Sequence, residues 1–498
     1  MDALDHHTCY QAISRRDARF DGRFYTAVTT TGIFCRPSCP ARTPKSTNVR
    51  FYGHAAAASE AGFRPCRRCR PELAPGHPEW NRREDLVGKA MRLIEAGTVD
   101  RLGVSGLAAE LGVSERHLRR ELQAVVGAGP LQLARARRLW LARMLLDQTR
   151  LSVTDVAFAS GFGSVRQFND AIRTAFDAPP SALRRRRDIA PGPEPIELQL
   201  PCRGALGWSQ LQAFFAARAI PGLEEATPTG LRRMVPGGWV ELDSPLTTGT
   251  VALGSEPLRV RCSLRDLSVL AELLPTIRSV ADLDTDLEPV AAELAADPDL
   301  AERLTSTSLP RLPGTFDPFE LVVRAIVGQQ VSVAGARTLL GQLVRLVACG
   351  SKGGELDDGR GHAAEPVEMF PTAETVASAD LSTLGMPTRR RDTITGVARA
   401  VVDGRLDLSR SASPEALQRQ LVDLPGIGPW TAGYVTMRVL GDSDAWPTND
   451  LGLRRSLGID AAALERRAEN WRPWRAYAAL LLWHTDPTTT TKPARSAS

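Results

Sequence analysis

Four cysteines near the front of the chain constrain the fold more than any other feature. They form two close pairs, Cys35-x3-Cys39 and Cys66-x2-Cys69, with 26 residues between the pairs. Each pair puts two thiols on one tight turn, and two such turns make the tetrahedral four-sulfur site that zinc prefers. The surrounding segment is rich in Arg and Pro and offers little core, so a bound Zn2+ ion would contribute directly to its folding. A purely structural zinc site has the same spacing, and the spacing alone does not separate it from a reactive one. The other cysteines, Cys9, Cys202, Cys262 and Cys349, are scattered and read as small core or surface residues. The first residues include Asp2, Asp5, His6 and His7 and lack the basic-then-apolar pattern of a secretory leader. Eight cysteines in such a chain are not expected to form a disulfide framework, and a cytoplasmic, nucleoid-associated protein is expected.

With 498 residues the chain exceeds a single ordinary core, and several domains are expected. Its hydrophobic fraction of 43% and charged fraction of 24% are those of a globular protein. No uncharged apolar stretch reaches the roughly 18 residues of a membrane span. The net charge of +5 is modest. The distribution of arginine is more telling, with clusters at Arg64–Arg70, Arg116–Arg120, Arg135–Arg138 and Arg184–Arg187. Guanidinium groups pair well with phosphates, although solvated faces of an Arg-rich protein look the same.

The context of the cysteines carries more than their spacing. Thr30-Thr-Gly-Ile-Phe-Cys35-Arg-Pro-Ser-Cys39-Pro-Ala-Arg42 and Gly62-Phe-Arg-Pro-Cys66-Arg-Arg-Cys69 closely resemble the N-terminal domain of the Ada family. The resemblance implies that Cys35 is both a zinc ligand and a methyl acceptor, beside the ligands Cys39, Cys66 and Cys69. The chemistry is sound: zinc keeps sulfur as thiolate at neutral pH, and four thiolates leave the site doubly negative. Such a sulfur can attack the methyl of a DNA methylphosphotriester with the phosphodiester as leaving group. Methylation removes one negative charge facing the DNA, so affinity should rise. Ada proteins commonly add a second methyltransferase domain with a Pro-Cys-His-Arg site. The nearest segment here, Pro201-Cys202-Arg-Gly, lacks the His, so Cys202 reads as structural and that activity as absent.

A helical region follows. Val104-Ser-Gly-Leu-Ala-Ala-Glu-Leu-Gly-Val-Ser114 reads as helix, Gly-containing turn and Ser N-cap, and Glu115–Leu122 reads as a recognition helix. The pattern recurs about 50 residues later as Val153–Ser164 and Val165–Ile172, with Ala157, Gly161 and Phe168 at packing and turn positions. This doubled unit resembles the AraC-type DNA-binding domain. Arg116, His117, Arg119 and Arg120 on one helix, and Arg166, Gln167 and Asn169 on the other, can reach base edges or phosphates. Which of them read bases stays open.

After a Pro-rich linker the composition changes. Segments 196–202, 229–235, 238–243 and 248–262 read as strands and 208–219 and 264–275 as helices. From about 315 to 484 the pattern is helical, interrupted at Gly350–Glu365 by what reads as a mobile surface insertion. Residues 196–484 resemble the AlkA family of 3-methyladenine glycosylases, in the helix-hairpin-helix superfamily. Phe319–Ser332 matches the family's signature helix and turn, and Leu424-Pro-Gly426-Ile-Gly428-Pro-Trp430-Thr-Ala432 matches its hairpin. Gly426 and Gly428 allow a tight turn that points amide N–H groups at a phosphate. Asp450, in Pro447-Thr-Asn-Asp-Leu-Gly-Leu453, falls where the family has its catalytic carboxylate, with Asp442 and Asp444 as rivals and helix capping as the plain alternative. Departure of a base leaves positive charge on the sugar, which a nearby carboxylate stabilises. Relatives that also cleave the strand carry a Lys where this chain has Trp430, so a monofunctional, water-using hydrolase is implied. Trp430, Tyr434 and Trp483 match aromatic positions of the AlkA pocket, where ring faces attract an N-methylated, cationic purine. Base flipping needs a side chain to fill the gap, which by position is Gln330, beside Gln329; the family typically has an apolar residue there.

The fold class expected is multidomain α+β. A small zinc-bound α/β domain (1–82) precedes an all-α AraC-type double helix-turn-helix (83–188). A linker (189–195), a mixed α/β AlkA N-terminal-like domain (196–310), an all-α helix-hairpin-helix glycosylase domain (311–484) and a disordered tail (485–498) follow. The expected partners are double-stranded DNA with alkylation damage, promoter DNA and, after methylation, RNA polymerase, with no membrane association and a monomeric state. The function implied is a fused alkylation sensor, transcription regulator and monofunctional 3-methyladenine glycosylase. A regulator whose glycosylase half only binds DNA is the competing reading.

Overall fold

Most elements trace to local signals. The structure, a computed structural model, describes residues 5–71, 86–184, 195–244, 256–352, 369–410 and 412–485. In chain order the strands are β1 (Tyr25–Val28), β2 (Ile33–Cys35), β3 (Val49–Tyr52), β4 (Arg64–Pro65), β5 (Ile196–Leu200), β6 (Glu224–Ala226), β7 (Gly230–Val235), β8 (Gly238–Asp243) and β9 (Leu258–Leu264). The front helices are α1 (His6–Arg15), α2 (Ala55–Glu60), α3 (Leu86–Glu95), α4 (Thr98–Glu110), α5 (Glu115–Val126), α6 (Pro130–Gln148), α7 (Val153–Ala159), α8 (Val165–Phe176) and α9 (Pro180–Leu183). Next come α10 (Trp208–Arg218), α11 (Leu270–Val280), α12 (Leu287–Leu294), α13 (Pro298–Ser306), α14 (Pro318–Val327), α15 (Val333–Lys352) and α16 (Ala373–Ser378). The last are α17 (Thr388–Val402), α18 (Pro414–Val422), α19 (Pro429–Leu440), α20 (Leu451–Leu457), α21 (Ala461–Ala468) and α22 (Arg475–His484). Among the described residues no helix is long and apolar enough to cross a membrane.

The chain divides into two compact units. One comprises Met1–Leu206, Ser244–Arg278 and Leu283–Thr285; the other comprises Gly207–Asp243, Ser279–Asp282 and Asp286–Ser498. In the first, the strands run in the order β3-β1-β2-β4, antiparallel except for the parallel β2–β4 pair. That parallel pair aligns Phe34 with Pro65 and so places Cys35, the last residue of β2, beside Cys66. Its apolar clusters are small: Cys9, Ala12, Ile13, Phe24 and Val49 in one, Tyr25, Ala27, Phe34 and Ala58 in the other. The helix-turn-helix core is larger and includes Leu107, Leu118, Leu122, Val126 and Leu133. Ser114, Ser152 and Ser164 cap α5, α7 and α8 through their side chains, and Ser152 with Asp155 forms a full capping box. β5 pairs antiparallel with β9 in the same unit.

In the second unit β6, β7 and β8 form an antiparallel meander, and α14 runs through the core with Leu321, Val322, Val323, Ile326 and Val327 buried. Burying each such side chain contributes about 1.5–3 kcal/mol. The core also contains charge. Arg233 on β7 donates to Glu320 on α14 at 2.5 and 3.1 Å and to Glu224 at 2.5 Å. Arg324, one turn after Glu320, donates to Glu320 at 2.7 Å and to Glu224 at 2.6 Å. Two cations and two anions thus neutralise one another out of water.

Several expectations need correction. The helix expected at 264–275 is displaced: Leu264 ends β9, Asp266 caps a 3-10 turn at Leu267–Val269, and α11 runs on through Pro275 to Val280. Pro275 lies within α11, which runs on past it. β6 is an additional strand, invisible beforehand because Glu224-Glu225-Ala226 has no apolar alternation. α4 begins at Thr98 and breaks at Gly103 (φ 71°), so the reader's first helix proper starts where expected, at Val104. The first residues of the expected Gly350 insertion continue α15 to Lys352; residues 353–368, like the linker to 194, part of the strand expected at 248–262, and the tail from 486, lie outside the described residues.

Replacing Glu320 with Ala leaves Arg233 and Arg324 with Glu224 as their shared carboxylate. Loss of one partner from a buried ion network costs about 3–5 kcal/mol. A matching fall in urea midpoint, followed by tryptophan fluorescence, is the expected result.

Candidate functional site

The front site forms where two strand ends meet. The Cys66 amide donates to the Phe34 carbonyl at 2.9 Å, and tight turns close each pair, Cys39 N–H to Arg36 carbonyl at 3.1 Å and Arg70 N–H to Cys66 carbonyl at 2.9 Å. The four sulfurs of Cys35, Cys39, Cys66 and Cys69 all lie within 4.8 Å of one another. Tetrahedral zinc–sulfur bonds of about 2.3 Å require sulfur–sulfur distances of roughly 3.8 Å, so the donor set fits a zinc ion. Such crowding cannot keep four equal thiols. Hydrogen bonds from Cys35 draw the Cys39 thiol down to about 7 and pull Cys66 well below the thiol range, while Cys35 is driven up by its bond with Cys39. Cys39 and Cys69 are buried; Cys35 and Cys66 are partly exposed. The scattered Cys9, Cys202 and Cys262 are buried and remote from the cluster in sequence, as expected of core residues.

The cysteine turn is tied to the DNA reader by contacts that the sequence did not suggest. Arg67 donates to the carbonyls of Phe176 and Asp177 at 2.8 and 2.9 Å, at the C-terminal end of α8. Arg64 pairs with Asp177, and Arg70 pairs with Asp147 on α6. On the recognition helices, Arg116, Arg119 and Arg120 of α5 and Arg166 and Gln167 of α8 are exposed, whereas His117 and Asn169 are half-buried. Arg120 is occupied along its own helix by Glu121 at 3.1 Å and by His117 at 2.7 Å. Arg116, Arg119 and Arg166 have no ion pair among the described residues.

In the second unit, α18 and α19 are joined by the Gly426–Gly428 turn. Gly426 has φ +91°, and a Cβ there would lie 2.1 Å from Thr393 Oγ1, so only glycine fits. Gly428 starts α19 with Pro429 in the first turn and no side-chain cap, leaving that helix end open to an anion. Asp450 is buried and caps α20, its Oδ1 accepting the Leu453 amide at 2.8 Å. Capping is only part of its role. Trp430 Nε1 donates to Asp450 Oδ2 at 2.5 Å, and Trp483 Nε1 donates to Oδ1 at 3.1 Å. Trp430 stacks on Tyr434 with ring centroids 5.4 Å apart, and Tyr434 meets Trp483 edge-on at 6.3 Å. The three aromatics and the carboxylate therefore form one cluster. The rival Asp444 is taken by Arg472 and Arg475. Gln330 is exposed on the turn after α14, and Gln329 donates to the Gly426 carbonyl and to Thr431 Oγ1, both at 3.2 Å.

Two residues of this cluster escaped notice beforehand. A Cβ on Gly452 would sit 3.0 Å from Asp450 Oδ1 and 3.5 Å from Trp483 Cδ1, so glycine lets the indole reach the carboxylate. Arg438 donates to Tyr434 Oη at 2.8 Å and to the carbonyls of Pro313 and Gly314 at 2.8 and 2.7 Å. Burial opposes ionisation of Tyr434, but Arg438 and Arg218 outweigh it and hold the phenol below its ordinary value. The i, i+4 spacing of Tyr434 and Arg438 on α19 was the available signal.

Sequence comparisons agree with this geometry. Residues 8–72 match the profile of the metal binding domain of Ada, residues 107–186 that of a helix-turn-helix domain, and residues 197–317 that of the AlkA N-terminal domain. The chain is 45% identical over 493 residues to the "Probable bifunctional transcriptional activator/DNA repair enzyme AlkA" of Mycobacterium tuberculosis, covering 97% of this chain and 96% of the relative. It is 33% identical over 287 residues to DNA-3-methyladenine glycosylase 2 of Escherichia coli, covering 56% of this chain and 94% of that protein. The bifunctional transcriptional activator/DNA repair enzyme Ada of Escherichia coli is 41% identical over 155 residues, covering 31% of this chain and 42% of Ada.

Gly426→Ala tests the hairpin. Overlap with Thr393 and an unfavourable φ should cost about 1–3 kcal/mol, and displaced amides should weaken binding to undamaged duplex DNA severalfold. Fluorescence anisotropy with a labelled duplex reads the second effect.

Proposed function

Because this chain belongs to the family of the bifunctional transcriptional activator/DNA repair enzyme AlkA, we propose that it senses backbone methylation through Cys35 and excises alkylated purines with the aid of Asp450. The carrying observation is that one chain holds both a four-thiol cluster and a carboxylate bracketed by hairpin and pocket aromatics. The protein is a DNA-binding repair enzyme and transcription regulator of the response to alkylated DNA. The working domain division is 1–82, 83–188, 196–310 and 311–484.

Zinc, when held by the four cysteines, supplies thiolates that are nucleophilic at neutral pH. Cys35 Sγ attacks the methyl carbon of a methylphosphotriester; the S–C bond forms, the C–O bond breaks, and the phosphodiester departs as an anion. Cys35 is partly exposed, as is Cys66, so its sulfur is accessible to a DNA backbone; the resemblance to Ada is what favours Cys35 over Cys66. The methylated sulfur is a neutral thioether, so one negative charge is lost and DNA binding tightens. The exposed α5 and α8 residues Arg116, His117, Arg119, Arg120, Arg166, Gln167 and Asn169 then engage promoter DNA. RNA polymerase is recruited by the methylated form, and the chain acts as a monomer.

In the other half, Gly426 and Gly428 hold a phosphate, Gln330 fills the gap left by the flipped nucleotide, and Trp430, Tyr434 and Trp483 contact the extruded base. As the glycosidic bond breaks, Asp450 offsets the positive charge growing on the sugar, and water completes hydrolysis. Trp430 has no amine for a Schiff base, so strand cleavage does not follow. The competing reading, a regulator whose second half only binds DNA, is disfavoured by the investment of two indole donors in one buried carboxylate.

Asp450→Asn keeps an α20 cap but loses the charge. Release of 3-methyladenine from methylated duplex should fall roughly a hundred- to a thousandfold, with duplex affinity retained; unchanged release refutes the assignment. Mass spectrometry after incubation with methylphosphotriester DNA should find one added methyl on the peptide containing Cys35 and none in Cys35→Ser.

A further inference from the structure

Two adjacent glutamines follow α14, and the structure uses them in opposite ways. Gln329 is half-buried and tied to its surroundings. Its side chain donates to the hairpin at Gly426 and to Thr431, and its carbonyl accepts from Arg390 Nη2 of α17 at 2.5 Å. Gln330 is exposed, adopts a left-handed backbone with φ 58°, and its amide has no hydrogen bond among the described residues. Residues with a long side chain rarely enter that region, and one that does is held there by its surroundings. Here the restraints come from α17, the hairpin and α19 through the preceding residue. Val331 and Val333, just after Gln330 in the chain, are 36% and 44% exposed and add apolar surface to the turn.

We propose that Gln330 is a specificity-determining residue that reads the orphaned base opposite the lesion, an inference that rests on its assignment as the gap-filling side chain. When a damaged purine leaves the stack, its partner loses every hydrogen bond on its Watson–Crick edge while staying enclosed by neighbouring pairs. Unpaired polar groups in such a place are costly. An apolar wedge fills the space and leaves them unpaired. A primary amide carries one acceptor and two donors, and by rotating it matches thymine, with N3–H and O4, or cytosine, with N3 and the N4 amine. An orphaned purine projects further into the gap and leaves too little room for the amide. The restrained turn presents the amide without a competing partner to break, so pairing with the orphan costs no bond within the protein.

The test uses the full chain and duplexes with one alkylated purine opposite T, C, A or G. Single-turnover excision is measured for wild type, Gln330→Leu and Gln330→Ala, and 2-aminopurine beside the lesion reports unstacking. Wild type should favour an opposing pyrimidine over a purine by roughly tenfold. Gln330→Leu should flip and excise but narrow that ratio to roughly twofold or less, because it fills space without pairing. Retention of the wild-type ratio by Gln330→Leu overturns the proposal and leaves the wedge intact. Gln330→Ala should lose most of the unstacking signal; wild-type unstacking in that variant removes the wedge assignment, and the proposal with it.

Discussion

The two groups proposed to react, a thiolate and a carboxylate, are anions that must be held against a polyanion. A thiolate cluster and a carboxylate are repelled by DNA phosphates at the distances where chemistry occurs, and the repulsion strengthens as water is excluded. At the front, a zinc ion among the four sulfurs would meet the cost. At the back, it is met by neutral donors: the Leu453 amide and the indoles of Trp430 and Trp483 all point at Asp450. The two solutions suit their tasks. In the proposed roles, a sulfur that changes charge on reaction reports the event once, whereas the carboxylate is not consumed.

The scaffold positions each anion through backbone pairing before side chains matter. The parallel β2–β4 register delivers Cys35 and Cys66 together, and the clusters beneath them are too small to hold that register without help. In the glycosylase half, α19 carries Trp430 toward Asp450; the absence of a Cβ on Gly452 leaves room for Trp483 beside that carboxylate, and its absence on Gly426 lets the hairpin pack against Thr393. The buried ion network around Arg233 and Glu320 fastens α14 to β7 and so supports the turn that bears Gln330.

What could be read in advance was whatever lies close along the chain. The cysteine pairs, the serine caps of α5 and α8, the glycine hairpin and Asp450 are short patterns whose chemistry depends on near neighbours. The features missed join distant residues: Arg67 with the end of α8, Arg390 with Gln329, Glu224 with Arg324. Periodicity carries no information about such pairs. α11 shows the same limit in another form. Proline disfavours a helix interior, yet α11 continues through Pro275 with Leu273, Leu274 and Ile277 buried. Asp450 shows a further one, since capping and catalysis looked like alternatives in the sequence and one carboxylate has the geometry for both.

The electrostatic account is tested most directly by duplex-DNA affinity of the zinc-loaded chain before and after methylation of Cys35, across a range of salt. Loss of one negative charge beside the phosphates predicts tighter binding after methylation, by a margin that shrinks as salt screens the charges. Equal affinity of the two forms at low salt, or a margin that does not change with salt, would contradict it.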